Sequence, residues 1–253
     1  MGRFGLGGAQ NPRAGFEGNH RKAGRRSESE AVPVTALPAL ILKVGKKISP
    51  PHLKKAAAVL KKGGVAILPS DTVYGLAASV KFPKSVKRVA RIKGRKQTHP
   101  FSIFVFGWGE LLRHSKNRPA YFSKLKTLLP GPYTFVLPAR AGLPKLCVSK
   151  GRVGLRWPDF PLLNKLVKQT GAPLVATSAN RTGKPPLRSG WAAIAEFSDE
   201  VDLILDAGKL PLSAVSTVVE FLPEETIIWR KGAGYKKLMQ QLYRLGVPVR
   251  DGG

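Results

Sequence analysis

Short apolar runs alternating with amphipathic stretches constrain this chain most. "VAILP", "FSIFVF", "YTFVLP", "VGLRWP", "PLVATSA", "DLILDAG", "AVSTVVEF" and "TIIWRKG" are too short for core helices. They are bounded by Gly, Pro or polar residues, so each predicts a strand, as does the shorter "LILKV". Helical patterns lie between them. In "PPHLKKAAAVLKKGG", Leu53, Ala56, Ala57 and Leu60 fall at i, i+3, i+4, i+7, with Pro at the start and Gly at the end. "PKSVKRVARIKG" places Val86, Val89, Ala90 and Ile92 on an apolar face. "RPAYFSKLKTLLPG" and the stretches 162–169, 191–197 and 235–245 predict further helices. Strands and helices mixed in this way imply one α/β or α+β domain over residues 38–253.

Residues 1–37 differ in kind. They are rich in Gly and Arg and almost without apolar periodicity, so a disordered basic tail is expected. The tail has few acids, as transit peptides do, but lacks an amphipathic face. A cytoplasmic chain is therefore expected, with organelle targeting as the lesser alternative. No apolar run approaches the ~20 residues needed to span a bilayer, so no membrane partner is expected.

Charge narrows the partners. The chain carries 43 Lys plus Arg against 15 Asp plus Glu, a net +28. Such a chain attracts polyanions, RNA among them, in a salt-dependent way. The single cysteine, Cys147, excludes an internal disulfide and argues against a cysteine metal site. It sits in "GLPKLCVSKG" with no nearby His and reads as a packed small residue.

Four segments place polar residues just after or within an apolar strand. "LPSDTVYGL" gathers Ser70, Asp71, Thr72 and Tyr74: hydroxyls for a small polar ligand, or a turn held by Ser and Asp with Tyr74 in the core. "RIKGRKQTHP" puts Lys93 and Arg95 two apart across Gly94. Gly94 suggests that the helix ends there, and the extended pair is then either a grip for one anion or a solvated basic turn. "APLVATSANRTGKPP" runs a strand into Ser178 and Asn180, suited to phosphate or ribose or to a polar turn. "SAVSTVVEF" sets Ser213, Ser216 and Thr217 inside a strand, where a buried Ser216 needs a partner. There is no GxGxxG after a strand, no P-loop and no GxSxG elbow. Spacing by itself therefore supports a phosphate-friendly α/β domain.

Taken in order, "GGVAILPSDTVYGL", "IKGR" with "HPFSIFV", "LLPGPYTFVLP", "VGLRWPDFPL", "PLVATSANRTGKP" and "STVVEF" with "IIWRKGAG" resemble the YrdC/Sua5 family, the threonylcarbamoyl-AMP synthases. The likeness runs from about residue 40 to 233. The family's Lys-x-Arg and Ser-x-Asn signature falls on Lys93/Arg95 and Ser178/Asn180. The resemblance implies a twisted, open mixed sheet with flanking helices around a large basic cavity. It implies synthesis of threonylcarbamoyl-AMP and pyrophosphate from L-threonine, bicarbonate and ATP. A partner threonylcarbamoyl-transferase would then use the product to modify the adenosine beside the anticodon of tRNA.

The same resemblance assigns roles. Lys93 and Arg95 would hold phosphate and carbamate oxygens. Ser178, Asn180 and Arg230 would hold the nucleotide. Arg156 would pair with the threonine carboxylate, and Ser70, Thr72 and Ser216 would contact threonine. Tyr74, grouped with these threonine-binding residues, would pack beside the adenylate or line the wall. Mg²⁺ would arrive with ATP, since no carboxylate cluster offers a dedicated metal site. No Sua5-type second domain is expected after the 235–245 helix, which suggests the short YrdC type. Departures from the family are Ser70 for the usual Thr, "ATSAN" for "APSAN", no Pro after Arg95, and Trp157 in place of smaller residues. The competing reading is a non-catalytic double-stranded RNA or tRNA-binding protein. At 8% aromatics, the chain is poor in the stacking residues that reading would favour. A carbamoyl-adenylating module of the zinc-binding type is disfavoured by the lone cysteine.

Overall fold

The computed structural model describes residues 38–45, 47–94 and 100–252. The basic tail expected over residues 1–37 lies outside these, and so does Arg95. In chain order the elements are β1 (Leu40–Lys43), α1 (Pro50–Lys61), β2 (Val65–Leu68), β3 (Gly75–Ala78), α2 (Pro83–Lys93), β4 (Ser102–Phe104) and α3 (Trp108–Arg113). Then follow a 3₁₀ segment (Ala120–Leu128), β5 (Tyr133–Pro138), a second 3₁₀ turn (Lys145–Cys147), β6 (Val148–Ser149), β7 (Arg152–Arg156), α4 (Pro161–Thr170) and β8 (Leu174–Ser178). The last are α5 (Gly190–Phe197), β9 (Leu203–Asp206), β10 (Thr217–Phe221), β11 (Thr226–Arg230), α6 (Tyr235–Arg244) and β12 (Val249–Asp251).

The strands form one mixed sheet in the order β1-β9-β2-β3-β8-β4-β7-β5-β10-β11-β12, with β6 added beside β7. Parallel pairs (β1 with β9, β4 with β7, β5 with β10) are mixed with antiparallel ones such as β2 with β3 and β3 with β8. The helix termini follow local chemistry. Ser49 caps α1 by accepting the His52 N–H, and α2 stops at Gly94, which takes the left-handed conformation at φ 63°.

Alternation across the pleat decides where the site lies. On β4, β5, β7 and β10 the odd-numbered residues, including Ile103, Phe135, Leu155 and Phe221, enter the larger core. The even-numbered residues on the other face line a cavity, among them Ser102, Thr134, Arg156 and Glu220. On that same face, Ala66, Leu68, Ala77, Leu203 and Leu205 pack under α1 and α4 in a smaller core. One face of the sheet therefore carries helices at one end and a cavity at the other, with Phe104 and Ala176 at the boundary.

Two expectations need correction. The stretch around Ala120–Leu128 is wound as 3₁₀ turns rather than as an α-helix. Ser213 and Ser216 lie outside a strand, because β10 begins at Thr217 opposite Tyr133. The residue opposite Ser216 in that register is Pro132, which has no N–H to extend the ladder.

Candidate active site

The cavity has a volume of about 770 Å³. Its floor is kept low by Gly154. A Cβ there would lie 2.8 Å from Ser102 Oγ and 3.1 Å from Thr134 Cγ2. Among the described residues, Lys93, Lys150, Arg152, Arg156 and Arg230 line the cavity, against the single carboxylate of Glu220. The balance favours an anionic ligand.

The loop from β2 to β3 supplies Ser70, Thr72 and Tyr74 to the wall. Ser70 organises the turn: its Oγ donates to Val73 O at 2.7 Å and accepts the N–H groups of Thr72 and Val73, each at 3.3 Å. Thr72 Oγ1 accepts from Arg156 Nη2 at 2.6 Å, and the same Nη2 pairs with Asp71. Asp71 also accepts the Asp159 N–H at 3.1 Å, so it clamps Arg156 from behind. Arg156 Nε is buried without an acceptor among the described residues. Tyr74 presents its ring only. Its hydroxyl donates to Gly208 O at 2.8 Å and accepts the Ala207 N–H at 2.9 Å. Burial pushes the Tyr74 pKa up to about 12, with a smaller push from Asp206 and a counter-effect from the Ala207 N–H.

Lys93 is the last residue of α2, and its Nζ enters the end of β8. It donates to Ser178 O at 2.7 Å and Ser178 Oγ at 3.0 Å, and it contacts Asn180 Oδ1. Ser178 Oγ donates to Asn180 Oδ1 at 2.7 Å. The Asn180 amide nitrogen is spent on the carbonyls of Arg181 and Lys184. Lys93 and Ser178 line the cavity, whereas Asn180 is not among its lining residues. Its place is behind the other two, holding both. Thr182 reinforces the junction by donating its N–H and Oγ1–H to Lys93 O, each at 2.9 Å.

Ser216 and Arg230 form the opposite side. Ser216 Oγ shares a 2.9 Å hydrogen bond with Thr134 Oγ1 and accepts from Arg230 Nη2 at 3.0 Å, while Arg230 Nε donates to Ser216 O at 2.9 Å. Desolvation lowers the Arg230 pKa from the ordinary guanidinium value, and the like charge of Arg156 lowers it further. Two guanidiniums close enough to disfavour each other mark a place where an anion is stabilised.

Of the described residues given a ligand-holding role from the sequence, all but Asn180 line this cavity; Asp71, Ser213 and Thr217 of the same segments do not. Lys150, Arg152, Thr134, Ser102 and Trp229 line it too, and none was singled out from the sequence. The period-2 pattern holds the missing signal. Once Arg156 is placed on the cavity face, Gly154 and Arg152 follow by alternation.

A family model for Sua5, YciO and YrdC, described as telomere recombination, matches residues 58–232. The threonylcarbamoyl-AMP synthase of Pyrococcus abyssi is 29% identical over 195 residues, covering 76% of this chain and 57% of the relative. That of Bacillus subtilis is 30% identical over 196 residues, covering 75% and 56%. The chain thus spans little more than half the length of these two relatives. The crystal structure of P. abyssi Sua5 complexed with L-threonine superposes with a TM-score of 0.78 at 26% identity, over 84% of this chain and 63% of that one.

Proposed function

The chain belongs to the Sua5/YciO/YrdC family, and on that footing we propose that it is a threonylcarbamoyl-AMP synthase. L-Threonine and bicarbonate condense to the N-carboxylate with loss of water. A carbamate oxygen then attacks the α-phosphorus of ATP, and the bond to the bridging oxygen breaks, so pyrophosphate leaves with the electron pair. Both reactants are anions, and their approach costs Coulomb energy that grows as water is excluded. A cavity with Lys93, Arg156 and Arg230 in its wall lowers that cost and stabilises the charge gathering at phosphorus.

In this reading Lys93 and, by the family signature, Arg95 hold phosphate and carbamate oxygens. Ser178 contacts the nucleotide, and Asn180 positions it and Lys93. Arg156 takes the threonine carboxylate beside Thr72, while Ser70 shapes that turn. Ser216 holds Arg230 toward the nucleotide. Tyr74 forms the wall. Mg²⁺ enters as part of the ATP complex.

The observation that carries the proposal is Lys93, its ammonium fixed by Ser178 and Asn180 at the wall of a cavity that holds four more cations. The test is pyrophosphate release from ATP and bicarbonate, with and without L-threonine. Threonine-dependent release that disappears in Lys93→Ala supports the synthase. No release, together with tight, salt-sensitive tRNA binding, would sink it and favour the RNA-binding alternative.

The net +28 supports RNA as a partner in addition to the small substrates. A transferase acting on the adenosine beside the anticodon is the consumer we propose for the labile adenylate. No helix among the described residues is long and apolar enough to cross a membrane. The cytoplasm is the proposed location, and residues 38–253 the proposed catalytic domain.

A further inference from the structure

Resting on the synthase reading, we propose that Trp229 and Glu220 form the base subsite of this chain, with the indole stacking on the adenine of ATP and the Glu220 carboxylate accepting from its exocyclic amine. Trp229 is the extra residue of a β-bulge: Val218 pairs with Arg230 and Val219 with Ile228, which leaves Trp229 without an opposite number. Such a bulge re-aims a side chain, and here both Trp229 and Arg230 line the cavity.

The indole is held firmly yet left open. Its Nε1–H donates to Glu220 Oε2 at 2.7 Å, and its ring lies against the backbone of Gly252, where a Cβ would come 2.5 Å from Cε3. Even so, the residue remains 49% exposed. A tryptophan placed to fill the core would be buried, whereas this one keeps a π-surface open on a cavity.

Glu220 is otherwise hard to place in a site for polyanions. It is the one carboxylate on a lining with five cations among the described residues, and it is buried and paired with Arg152. Arg152 is itself fixed by donating to Phe221 O at 2.6 Å. A carboxylate is tolerable only where the ligand is uncharged, and the base is the uncharged end of ATP. With one oxygen on Arg152 and the other on Trp229, lone pairs remain to accept an amine hydrogen. Guanine would present a carbonyl oxygen at that edge and be repelled.

Distance fits as well. From β8, where Ser178 meets Lys93, to β10 and Glu220 there are four strand spacings of ~4.8 Å, or about 19 Å. That suits an extended nucleoside triphosphate with its phosphates at Lys93 and its base at Trp229.

Calorimetric titration of the full chain with ATP, GTP and inorganic tripolyphosphate tests the proposal. In Trp229→Ala the ATP affinity is expected to fall about tenfold, as loss of one base–aromatic stack would give. Tripolyphosphate binding should stay unchanged, and Trp229→Phe should recover most of the loss. Glu220→Gln should narrow the preference for ATP over GTP about tenfold.

Equal losses for ATP and tripolyphosphate in Trp229→Ala would indicate a merely structural role and overturn the subsite. So would ATP affinity that is unchanged while tRNA binding weakens, which would give the indole to an RNA base. A wild type that takes GTP as tightly as ATP overturns the role of Glu220. Threonine-dependent pyrophosphate release is measured on the same preparation. A wild type inactive in that assay, yet binding ATP through Trp229, keeps the base subsite and removes the synthase reading.

Discussion

Lys93 Nζ lies 2.7 Å from the carbonyl oxygen of Ser178, although 85 residues separate them along the chain. The contact joins the end of α2 to the end of β8, and Asn180 closes it from behind. A residue with no face on the cavity thereby controls two that have one. Asn180→Ala is expected to reduce pyrophosphate release about 100-fold through misplacement of Lys93 and Ser178. The loss should fall on kcat more than on the KM for threonine. Asn180→Asp keeps the acceptor oxygens and should recover part of the rate. Steady-state kinetics on both variants decide the matter, and an unchanged kcat in Asn180→Ala would contradict the positioning role.

Asp71 and Arg156 form a buried pair, with side chains only 9% and 10% exposed. Removing the carboxylate leaves an uncompensated guanidinium, and Asp71→Ala is expected to cost about 3–5 kcal/mol of stability. On the proposed pairing of Arg156 with the threonine carboxylate, L-threonine should restore part of this. Urea denaturation with and without threonine checks both halves. Protection by L-alanine and by chloride alike, at equal concentration, would argue that Arg156 does not select the amino acid.

Gly154 marks the floor of the cavity. Gly154→Ala would push a methyl against Ser102 Oγ and Thr134 Cγ2. Binding of ATP or threonine is expected to weaken at least tenfold, with a loss of about 1–3 kcal/mol in stability as the crowded side chains shift. Calorimetry and thermal melts on the same variant separate the two effects. Full-strength binding would mean that the ligand does not reach the floor.

Alkaline pH should destabilise the fold by a definite route. Burial raises Tyr74 from its ordinary 10.0 to about 12, and Cys147 from 9.0 to about 12. Both groups are neutral when protonated, so the unfolded chain gives up these protons first as pH rises. Their stabilising contribution is complete below the unfolded values and is lost as pH climbs toward 12. Melting temperature should therefore fall progressively above about pH 9, and the slope should be shallower in Cys147→Ala than in the parent. At pH 8 the native thiol should resist a chromogenic disulfide reagent and react only after unfolding. Rapid reaction in the native state would show that Cys147 is not sequestered.

Much of the fold was legible because apolar periodicity is a local signal. The apolar positions of α1, α2 and α4 and the strand pattern at β2, β5, β8, β9 and β11 stand in the sequence as the structure has them. What escaped was short or non-periodic. In β3, "GLAA" is buried on both faces and so shows no alternation. Six residues of α3 are too few to establish a helical pattern. Strand β12 depends on pairing with β11, which no local rule announces.

The site divides along the same line. The polar clusters at Ser70–Tyr74, Lys93 and Ser178–Asn180 stood out because they interrupt apolar runs. Arg152 and Glu220 did not, since a charged residue in an alternating strand of a basic chain looks like an ordinary solvent-facing position. Their inward role depends on the helical layer stopping at Phe104 and Ala176, which is a fact of tertiary packing.

The sheet order has a consequence for how the protein is born. The cavity draws its wall from β4, β5, β7, β8 and β10 together with Trp229 and Arg230 of β11, yet β8 sits between β3 and β4 in space. While the ribosome is still making β10 and β11, the nascent chain has Lys93, Arg156 and Ser178 but no far wall to complete the pocket. Substrate therefore has nothing whole to hold until β11 has emerged. It can steady the finished protein, but it cannot guide the early chain toward it.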